Sequence, residues 1–277
     1  MSKEPFVLDD TNEFFTLPSP PGDVKAGFST RKQGVSSAPY NSLNLGLHVS
    51  DRNEDVLENR SRFAASIGRD EQSFVFAEQV HGNDVQRVGS LDRGAGSETL
   101  ATAIAGADGF YTTDPTVTLM SLYADCVPLF FIGEEGKIVG LAHAGWKGTV
   151  GQIGSNMLGA WKEEGVDLQT VHAYIGPSIG QANYEVNDTI ITSVDACLPH
   201  SVRRPYYPTN PGKYQLDLKE TNRVLLQSAG VPEANLHVST YCTYKEADWF
   251  YSHRRDGAKT GRMAAFIGLN CGSVTDQ

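Results

Sequence analysis

Short apolar runs separated by turn residues recur along almost the whole chain, and this pattern constrains the fold more than any other feature of the sequence. The runs are rich in β-branched and aromatic residues, which favours strands. Strands this numerous and irregular do not suit a doubly wound parallel sheet, so we predict an α+β fold with a mixed β core. The predicted strands are Val24–Ser29, Phe74–Val80, Val117–Tyr123, Val127–Ile132, Ile138–His143, Val171–Ile175, His237–Thr243 and Met263–Leu269.

Amphipathic segments between these runs predict helices that flank the β core. Each begins at a residue that can cap a helix, and most end near a glycine. No linker, repeat or low-complexity tract divides the chain, so we predict a single domain over residues 1–277. The predicted caps and ends are Asn53 to Gly68, Thr149 to Gly165, Asn187 or Asp188 onward, and Asp217 to Gly230.

The charge and the apolar content exclude several classes of protein. A net charge of −10 argues against binding to nucleic acids or to anionic membranes, because no surplus of basic residues offsets the phosphates. No apolar run is long enough to span a membrane, and the first residues lack the apolar core of a secretory signal. We therefore predict a cytoplasmic protein with reduced thiols at its scattered cysteines, which are Cys126, Cys197, Cys242 and Cys271.

A cysteine and two histidines at the ends of strand-like runs form a candidate metal site. His81, Cys126 and His143 together supply a thiolate and two imidazoles, which leaves one of four zinc positions for water or substrate. Their spacing matches no zinc finger, so folding has to bring them together. Taken alone, the spacing also fits three unrelated buried residues, because cysteine is often buried. Asp125, next to Cys126, is expected to raise the thiol pKa and so to make a metal or cation necessary for a thiolate.

A candidate anion site lies beside the second histidine. The segment after His143 reads as a strand, a glycine-rich turn and a helix start, which suits an anion at a helix N-terminus. Arg60, Asn44 and this turn with Lys147 are the predicted phosphate or substrate contacts, and Arg255 is a further candidate beside Arg254. Each of these residues could equally be an ordinary surface or turn residue.

Eight motifs together resemble the YlmD/YfiH-like family over nearly the whole chain, from Lys25 to Leu269. The family carries the names multicopper polyphenol oxidase (laccase), peptidoglycan editing factor and zinc purine nucleoside enzyme. The motifs are GFSTRKQGVSSAPYNSLNLGLHVSD, EQVHGNDV, GADGFYTT, YADCVPLFF, GLAHAGWKGTVGQI, IGPSIGQANYEV, LDLKETNR and CTYKEADWFYSHRRDGAKTGRMAAFIGL.

This resemblance implies a function and a fold. It makes His81, Cys126 and His143 the ligands of Zn²⁺ and catalytic residues. It implies phosphorolysis of adenosine, inosine and S-methyl-5′-thioadenosine, together with deamination of adenosine. The implied partners are purine nucleosides and phosphate, and the implied fold is also seen in a bacterial deamidating toxin. Lys147 stands where the family often has arginine, which removes a two-pronged donor if that position holds an anion.

Two other functions stay open at this point. A metal-free cysteine hydrolase or deamidase would use Cys126 as the nucleophile and His143 as the base. A copper-dependent polyphenol oxidase, as the older family name says, would bind Cu²⁺, but it needs several coupled metals and more clustered histidines than this chain offers.

Overall fold

The structure, a computed structural model, describes residues 3–270, so Cys271 lies outside the described residues. Most of its strands belong to two six-stranded sheets, and three short ones form a third sheet. In chain order the strands are β1 (Val7–Leu8), β2 (Phe14–Thr16), β3 (Val24–Ser29), β4 (Phe74–Phe76), β5 (Val85–Arg87), β6 (Gly109–Thr112), β7 (Thr118–Tyr123), β8 (Val127–Gly133), β9 (Ile138–Ala144), β10 (His172–Ile175), β11 (Glu185–Asn187), β12 (Tyr206–Asn210), β13 (Lys213–Leu216), β14 (Leu236–Val238) and β15 (Met263–Leu269).

The α-helices of the described chain lie mainly on the outer faces of the sheets. Short 3₁₀ turns connect several of the elements. The helices are α1 (Asn53–Ser66), α2 (Trp146–Val150), α3 (Ile153–Glu163), α4 (Asp188–Cys197), α5 (Leu218–Ser228) and α6 (His253–Asp256).

Both large sheets are mixed, which confirms the α+β fold with a mixed β core. The first has the order β1-β2-β3-β15-β7-β4, in which only the β4–β7 pair is parallel. The second has the order β14-β10-β8-β9-β6-β5, with parallel pairs at its two edges and antiparallel pairs inside. The single-domain prediction for residues 1–277 stays a prediction.

The two large sheets pack face to face, and helices cover their outer sides. One apolar cluster fills the space between the sheets and includes Phe28, Tyr123 and Phe130. A second cluster joins the other face of the second sheet to α3, α4 and α5. A third joins the first sheet to α1 through Phe63 and Phe266. The resulting order of layers is helix, sheet, sheet, helices.

The alternation of side chains along β9 decides where His143 points. Val139 and Leu141 lie in the cluster between the sheets, whereas Ile138 and Ala142 lie in the cluster under the helices. Because side chains in a strand alternate with a period of two, His143 faces the space between the sheets, like Val139 and Leu141. Its ring lies 5.4 Å from that of Tyr123, at the end of β7.

Two predicted strands end earlier than the sequence indicated. The run Phe74–Val80 stays in the sheet only as far as Phe76, and Gln79 further along adopts a positive φ of 58°. The run His237–Thr243 forms a strand only to Val238. Beyond it the carbonyls of Ser239 and Tyr241 accept hydrogen bonds from the Lys219 ammonium rather than from a neighbouring strand.

The helix predicted to begin at Thr149 is the clearest correction to the predicted elements. A short helix already begins at Trp146, and the chain breaks at Gln152 with φ of 59° before the next helix starts. The Thr149 hydroxyl caps nothing and instead accepts a hydrogen bond from Asn222. The predicted caps Asn187 and Asp217 are confirmed, because each side chain accepts a bond from a backbone N–H three residues on.

The first predicted helix is shifted by a single residue. Asn53 is its first residue rather than its cap, which is Arg52. Across residues 3–270, every helix is too short or too polar to cross a bilayer.

Two partly buried histidines face each other across the parallel β10–β14 pair at the edge of the second sheet. The rings of His172 and His237 are parallel within 3°, with centroids 5.8 Å apart and Nδ1 and Nε2 3.5 Å apart. The nitrogens therefore meet edge to edge and can share one proton. Burial lowers the pKa of both imidazoles, and the charge of His172 lowers the pKa of His237 further.

We expect this pair to make the fold sensitive to acid. A histidine whose pKa is lowered by folding takes up a proton more readily in the unfolded chain. Its contribution to the free energy of unfolding is therefore fully present above the ordinary pKa of histidine and decreases as the pH falls below that value. The His172→Gln variant should therefore lose less Tm than the native chain between pH 7.5 and 5, measured by calorimetry. The His200→Gln variant, at an exposed position, is the control. An equal loss of Tm in all three proteins would contradict this role.

Candidate metal centre

Three side chains that can ligate a metal meet at the end of the space between the two large sheets. The ligand atoms of His81, Cys126 and His143 all lie within 4.8 Å of one another. The two imidazole rings are nearly perpendicular, at 84°. Within residues 3–270, this is the one group of three or more His, Cys, Asp or Glu residues whose ligand atoms lie close enough together to hold a metal ion. The fold thus brings together the three residues that the sequence singled out.

The donor set and its spacing fit a metal ion. Tetrahedral zinc, with bonds of about 2.0–2.3 Å, places its ligand atoms roughly 3.5 Å apart. The observed limit of 4.8 Å is therefore within a small side-chain movement of that arrangement. His81 is the exposed member of the set, whereas His143 is buried.

Each ligand is presented by a different local structure. His143 lies on β9 and its position is fixed by the sheet. Cys126 comes just before β8 and follows Asp125, whose φ of 94° turns the chain sharply. His81 lies in a loop after β4 with φ of 62°. Positive φ is uncommon for residues other than glycine, so two of the three ligands depend on unusual backbone turns.

A buried carboxylate orients the ring of His143. The Asp108 Oδ1 atom lies 2.9 Å from His143 Nδ1, and the Asp108 side chain is fully buried. An ionised carboxylate only accepts hydrogen bonds, so Nδ1 carries the proton and Nε2 is left for the cluster. This is the carboxylate–histidine arrangement that supports histidine ligands in metal sites.

Gly145 leaves the space that an ion at the cluster would need. A Cβ atom at this position would lie 3.1 Å from the Cys126 Sγ atom and 3.3 Å from His81 Cδ2. Both contacts are shorter than ordinary van der Waals contacts. Any larger residue here would therefore push on two of the three ligands.

The cysteine and the buried histidine stabilise each other's charged forms. Burial opposes ionisation of the Cys126 thiol, but the charge of His143 and hydrogen bonds from both histidines outweigh it and lower the thiol pKa to about 6. Burial likewise disfavours a charged His143, but the Cys126 thiolate and Asp108 outweigh it and raise the His143 pKa to about 9. The two residues therefore favour a thiolate–imidazolium pair, and a metal that binds here would displace the proton from His143 Nε2.

The expectation that Asp125 raises the thiol pKa is wrong. Its carboxylate accepts hydrogen bonds from the Thr243 hydroxyl at 2.6 Å, the Ser252 hydroxyl at 3.0 Å and the Arg254 backbone N–H at 2.7 Å. These donors take the place of water around the carboxylate, while the charge of His143 and hydrogen bonds from both histidines lower the thiol pKa. The sequence placed Asp125 beside the thiol, but the positive φ of this residue directs its side chain to other partners.

The cluster forms part of the wall of a cavity of about 590 Å³, within the usual range for small-molecule sites. Leu122, Ile179 and Tyr184 supply apolar surface, and Arg254 and Arg262 supply positive charge. The Arg254 guanidinium lies 5.1 Å from the centre of the Tyr184 ring. The lining also includes Glu78 and Asp125, so the cavity combines an aromatic wall, two cations, two acidic side chains and the cluster.

His48 and Arg262 are neighbours in this cavity wall. Burial, followed by the charge of Arg262, lowers the pKa of His48 to about 4, so this imidazole is neutral at pH 7. Burial also lowers the pKa of Arg262, whose Nη1 donates to the carbonyls of Thr260 and Gly261.

Arg60 does not lie where the sequence predicted. Its side chain is 1 % exposed and donates to the carbonyls of Leu45, Gly96 and Ser97. Its guanidinium also lies 4.1 Å from the centre of the Phe76 ring. These contacts tie α1 to two loops, so the geometry assigns Arg60 a structural role and corrects the prediction of a phosphate clamp.

Asn44 likewise has a structural role in place of the predicted substrate contact. It is fully buried and its amide oxygen accepts from the backbone N–H groups of Gly46 and Arg262. Its amide nitrogen donates to Asp51 at 2.9 Å. The side chain therefore stabilises the loop that carries His48, without lining the cavity itself.

Lys147 and Arg255 also lie outside the cavity lining. Lys147 is exposed on α2, with its ammonium 5.9 Å from the centre of the Trp146 ring. The Arg255 guanidinium donates to the carbonyls of Thr243, Tyr244 and Phe250, so it holds two loops together.

Sequence reasoning overlooked two residues that the structure places at the site. Asp108, within the motif GADGFYTT, carries the carboxylate behind His143. Arg262, within RMAAFIGL, lines the cavity. Arg262 comes directly before β15, and Asp108 directly before β6. A search for polar residues next to the ends of buried strands would have found both.

The family model for multi-copper polyphenol oxidoreductase laccase matches residues 25–270. This chain belongs to that family. The match covers all three cluster residues, and it confirms the family resemblance that the motifs indicated. The proteins with which the site can be compared are therefore the relatives in this family.

Among curated relatives in this family, a Bacillus subtilis protein named purine nucleoside phosphorylase YlmD is 48 % identical, over 89 % of each chain. The crystal structure of YlmD from Geobacillus stearothermophilus has a TM-score of 0.95 at 42 % identity and covers 97 % of this chain and 100 % of its own. The crystal structure of a Bacillus licheniformis protein named YfiH has a TM-score of 0.93 at 39 % identity, with the same coverage. These similarities confirm the fold.

We expect Cys126→Ala to abolish metal binding and leave the fold intact. The substitution removes the only thiolate of the cluster, and Cys126 is a partly buried residue that packs against the apolar core without belonging to its buried set. Metal content by mass spectrometry, together with Tm in the presence of a chelator, measures both effects. The Cys197→Ala variant, on α4 far along the chain from the cluster, should keep its metal. Equal metal content in Cys126→Ala and native protein would contradict the assignment.

Proposed function

We propose that this chain is a zinc-containing purine nucleoside phosphorylase that acts on adenosine, inosine and S-methyl-5′-thioadenosine and also deaminates adenosine. The observation that carries the proposal is the cluster of His81, Cys126 and His143 in the wall of a cavity of about 590 Å³. The relative named purine nucleoside phosphorylase YlmD, at 48 % identity, supports the reaction class.

The apolar side of the cavity suits a purine ring. Tyr184 offers an aromatic face, and Leu122 and Ile179 offer aliphatic surface beside it. Stacking of a base on an aromatic side chain contributes about 1–3 kcal/mol. The same wall does not distinguish adenine from hypoxanthine, which agrees with a range of purine substrates.

Arg254 and Arg262 are the residues that we assign to phosphate. Both line the cavity as well as donating to backbone carbonyls, whereas Arg60 and Arg255 bind carbonyls and lie outside the cavity lining. The Arg254 Nη1 atom donates to the Glu185 carbonyl at 2.9 Å, which holds the side chain in place. Two guanidinium groups supply the local charge that phosphate needs in a protein with a net charge of −10.

Phosphorolysis joins a phosphate oxygen to the sugar C1′ atom while the bond from C1′ to the purine nitrogen breaks. By analogy with glycoside cleavage, positive charge develops on the sugar, and the departing purine takes up a proton. The arginines hold the attacking anion, and the apolar wall holds the leaving purine in line with it. Bound zinc supplies a Lewis acid and, for deamination, an activated water.

Deamination directs water to the purine C6 atom, whereas phosphorolysis directs phosphate to C1′. One pose of the nucleoside can hardly serve both reactions with a single metal. We therefore propose that the nucleoside binds in two orientations, or that the metal assists only one of the reactions. Both share the same cavity walls.

A second candidate function is a metal-free cysteine hydrolase or deamidase. The observation in its favour is the order Cys126, His143 and Asp108, in which a base next to a thiol is itself oriented by a carboxylate. The same arrangement suits a metal site. Zinc bound at one equivalent per chain and required for activity would favour the phosphorylase.

The copper oxidase function has less support from the site. The family description names copper, but a multicopper oxidase couples several copper sites. In residues 3–270, the structure forms one cluster of the required residue types. We therefore assign zinc as the physiological metal, with copper as an alternative occupant.

The reaction is tested by incubating zinc-loaded protein with adenosine, with and without phosphate. We expect adenine only with phosphate, and inosine under both conditions, resolved by liquid chromatography. Cys126→Ala should form neither product. Failure to release free base from adenosine, inosine and S-methyl-5′-thioadenosine would defeat the phosphorylase assignment and favour the hydrolase.

The phosphate assignment is tested by Arg254→Ala. Loss of this guanidinium should raise the KM for phosphate by about tenfold or more, which corresponds to a charge-assisted hydrogen bond of roughly 1.5–3 kcal/mol. Deamination should change much less. The control is Arg62→Ala, which removes an exposed arginine paired with Glu58 on α1. An unchanged KM for phosphate in Arg254→Ala would contradict the assignment.

A further inference from the structure

The Asp108 carboxylate contacts two of the three cluster residues at once. Its Oδ1 atom lies 2.9 Å from the Nδ1 atom of His143 and 3.0 Å from the backbone nitrogen of His81. Its Oδ2 atom accepts from the backbone nitrogen of Gly82 at 2.7 Å. The Asp108 side chain is fully buried, so these donors replace water around the charge.

The backbone of Asp108 reinforces the same arrangement. Its carbonyl accepts from the His143 backbone nitrogen at 2.8 Å, which pairs the residue with β9. Its own N–H donates to the Asp84 carbonyl at 3.1 Å. Asp108 is therefore anchored to the sheet that carries His143 and to the loop that follows His81.

The contact with the His81 loop has a specific geometric effect. The φ of His81 is 62°, an unusual value for a residue with a side chain. Two successive backbone N–H groups, of His81 and Gly82, converge on one carboxylate. Such paired donors bind an anion, and here the anion belongs to the protein itself. The bonds fix the turn that aims the His81 ring at the cluster.

We propose that Asp108 is the positioning residue of the metal centre: it selects the Nε2 lone pair of His143 for the ion and fixes the backbone turn that presents His81. The proposal rests on the metal site of the proposed function. Asp108 does not line the cavity, and its carboxylate is bonded to His143 and to the backbone of His81 and Gly82. It acts through the two histidines.

The Asp108→Asn variant separates this role from simple packing. The two side chains have nearly the same shape, but an amide has one acceptor oxygen where the carboxylate has two. Asparagine can therefore accept from His143 or from Gly82, and its NH₂ group opposes the other donor. We expect zinc affinity to fall by about 10- to 100-fold, as for other residues that support metal ligands.

Two measurements that do not depend on activity test the proposal. Zinc affinity is measured by competition with a chromophoric chelator. The Nδ1–H proton of His143, protected by its bond to Asp108, is followed by ¹H–¹⁵N NMR and should be lost or exchange rapidly in Asp108→Asn. The control is Leu158→Ala, which removes a buried side chain from the cluster under the helices. It should lower Tm without changing zinc affinity or the Nδ1–H signal.

The outcomes distinguish this proposal from the proposed function. Zinc affinity within twofold of native in Asp108→Asn would overturn the positioning role, whether or not the Nδ1–H signal is retained. If native protein binds no zinc, the metal site fails, and loss of the Nδ1–H signal still supports the hold of Asp108 on His143. Should Asp108→Asn not fold, Asp108→Glu keeps the charge but displaces it by one methylene. It should also lose zinc affinity, and native affinity in that variant would overturn the proposal.

Discussion

The face-to-face packing of two mixed sheets is the constraint on which the rest of the structure depends. The apolar residues between the sheets fix their separation and leave the cluster at one end of the shared space. The buried position of His143 follows from the alternation along β9, because the residues two and four positions earlier belong to this core. A register shift of one residue in β9 would turn His143 towards the helices and remove the site.

The site combines one ligand on a regular β-strand with two ligands at unusual backbone turns. His143 comes from β9, inside the second sheet, whereas Cys126 and His81 are presented by turns with positive φ nearby. Buried carboxylates hold both turns. Asp108 receives the N–H groups of the His81 turn, and Asp125 receives three donors from loops distant in sequence.

The sequence predicted the chemistry of the cluster better than its surroundings. Three ligand types at the ends of strand-like runs made His81, Cys126 and His143 candidates, and the family motifs around them led to the assignment. The prediction that Arg60 binds phosphate is not supported. The helical pattern places Arg60 on the polar face of its helix, and therefore in solvent. Loops around Leu45 and Gly96 cover that face, and their carbonyls bind the guanidinium. Contacts between such distant segments leave no local pattern in the chain.

The sequence alone determined the strand-rich α+β class, most element positions and the identity of the three cluster residues. Strands and helices leave a local periodicity in the sequence, and a metal ligand has to be one of a few residue types. Both features can therefore be recognised in a single sequence. Only the tertiary structure decided which arginines line the cavity and which only connect parts of the fold. All four arginines donate to backbone carbonyls, but of these four only Arg254 and Arg262 also line the cavity. The physical reason is that the role of a charged side chain depends on the groups it contacts, and packing brings these groups together from distant parts of the sequence.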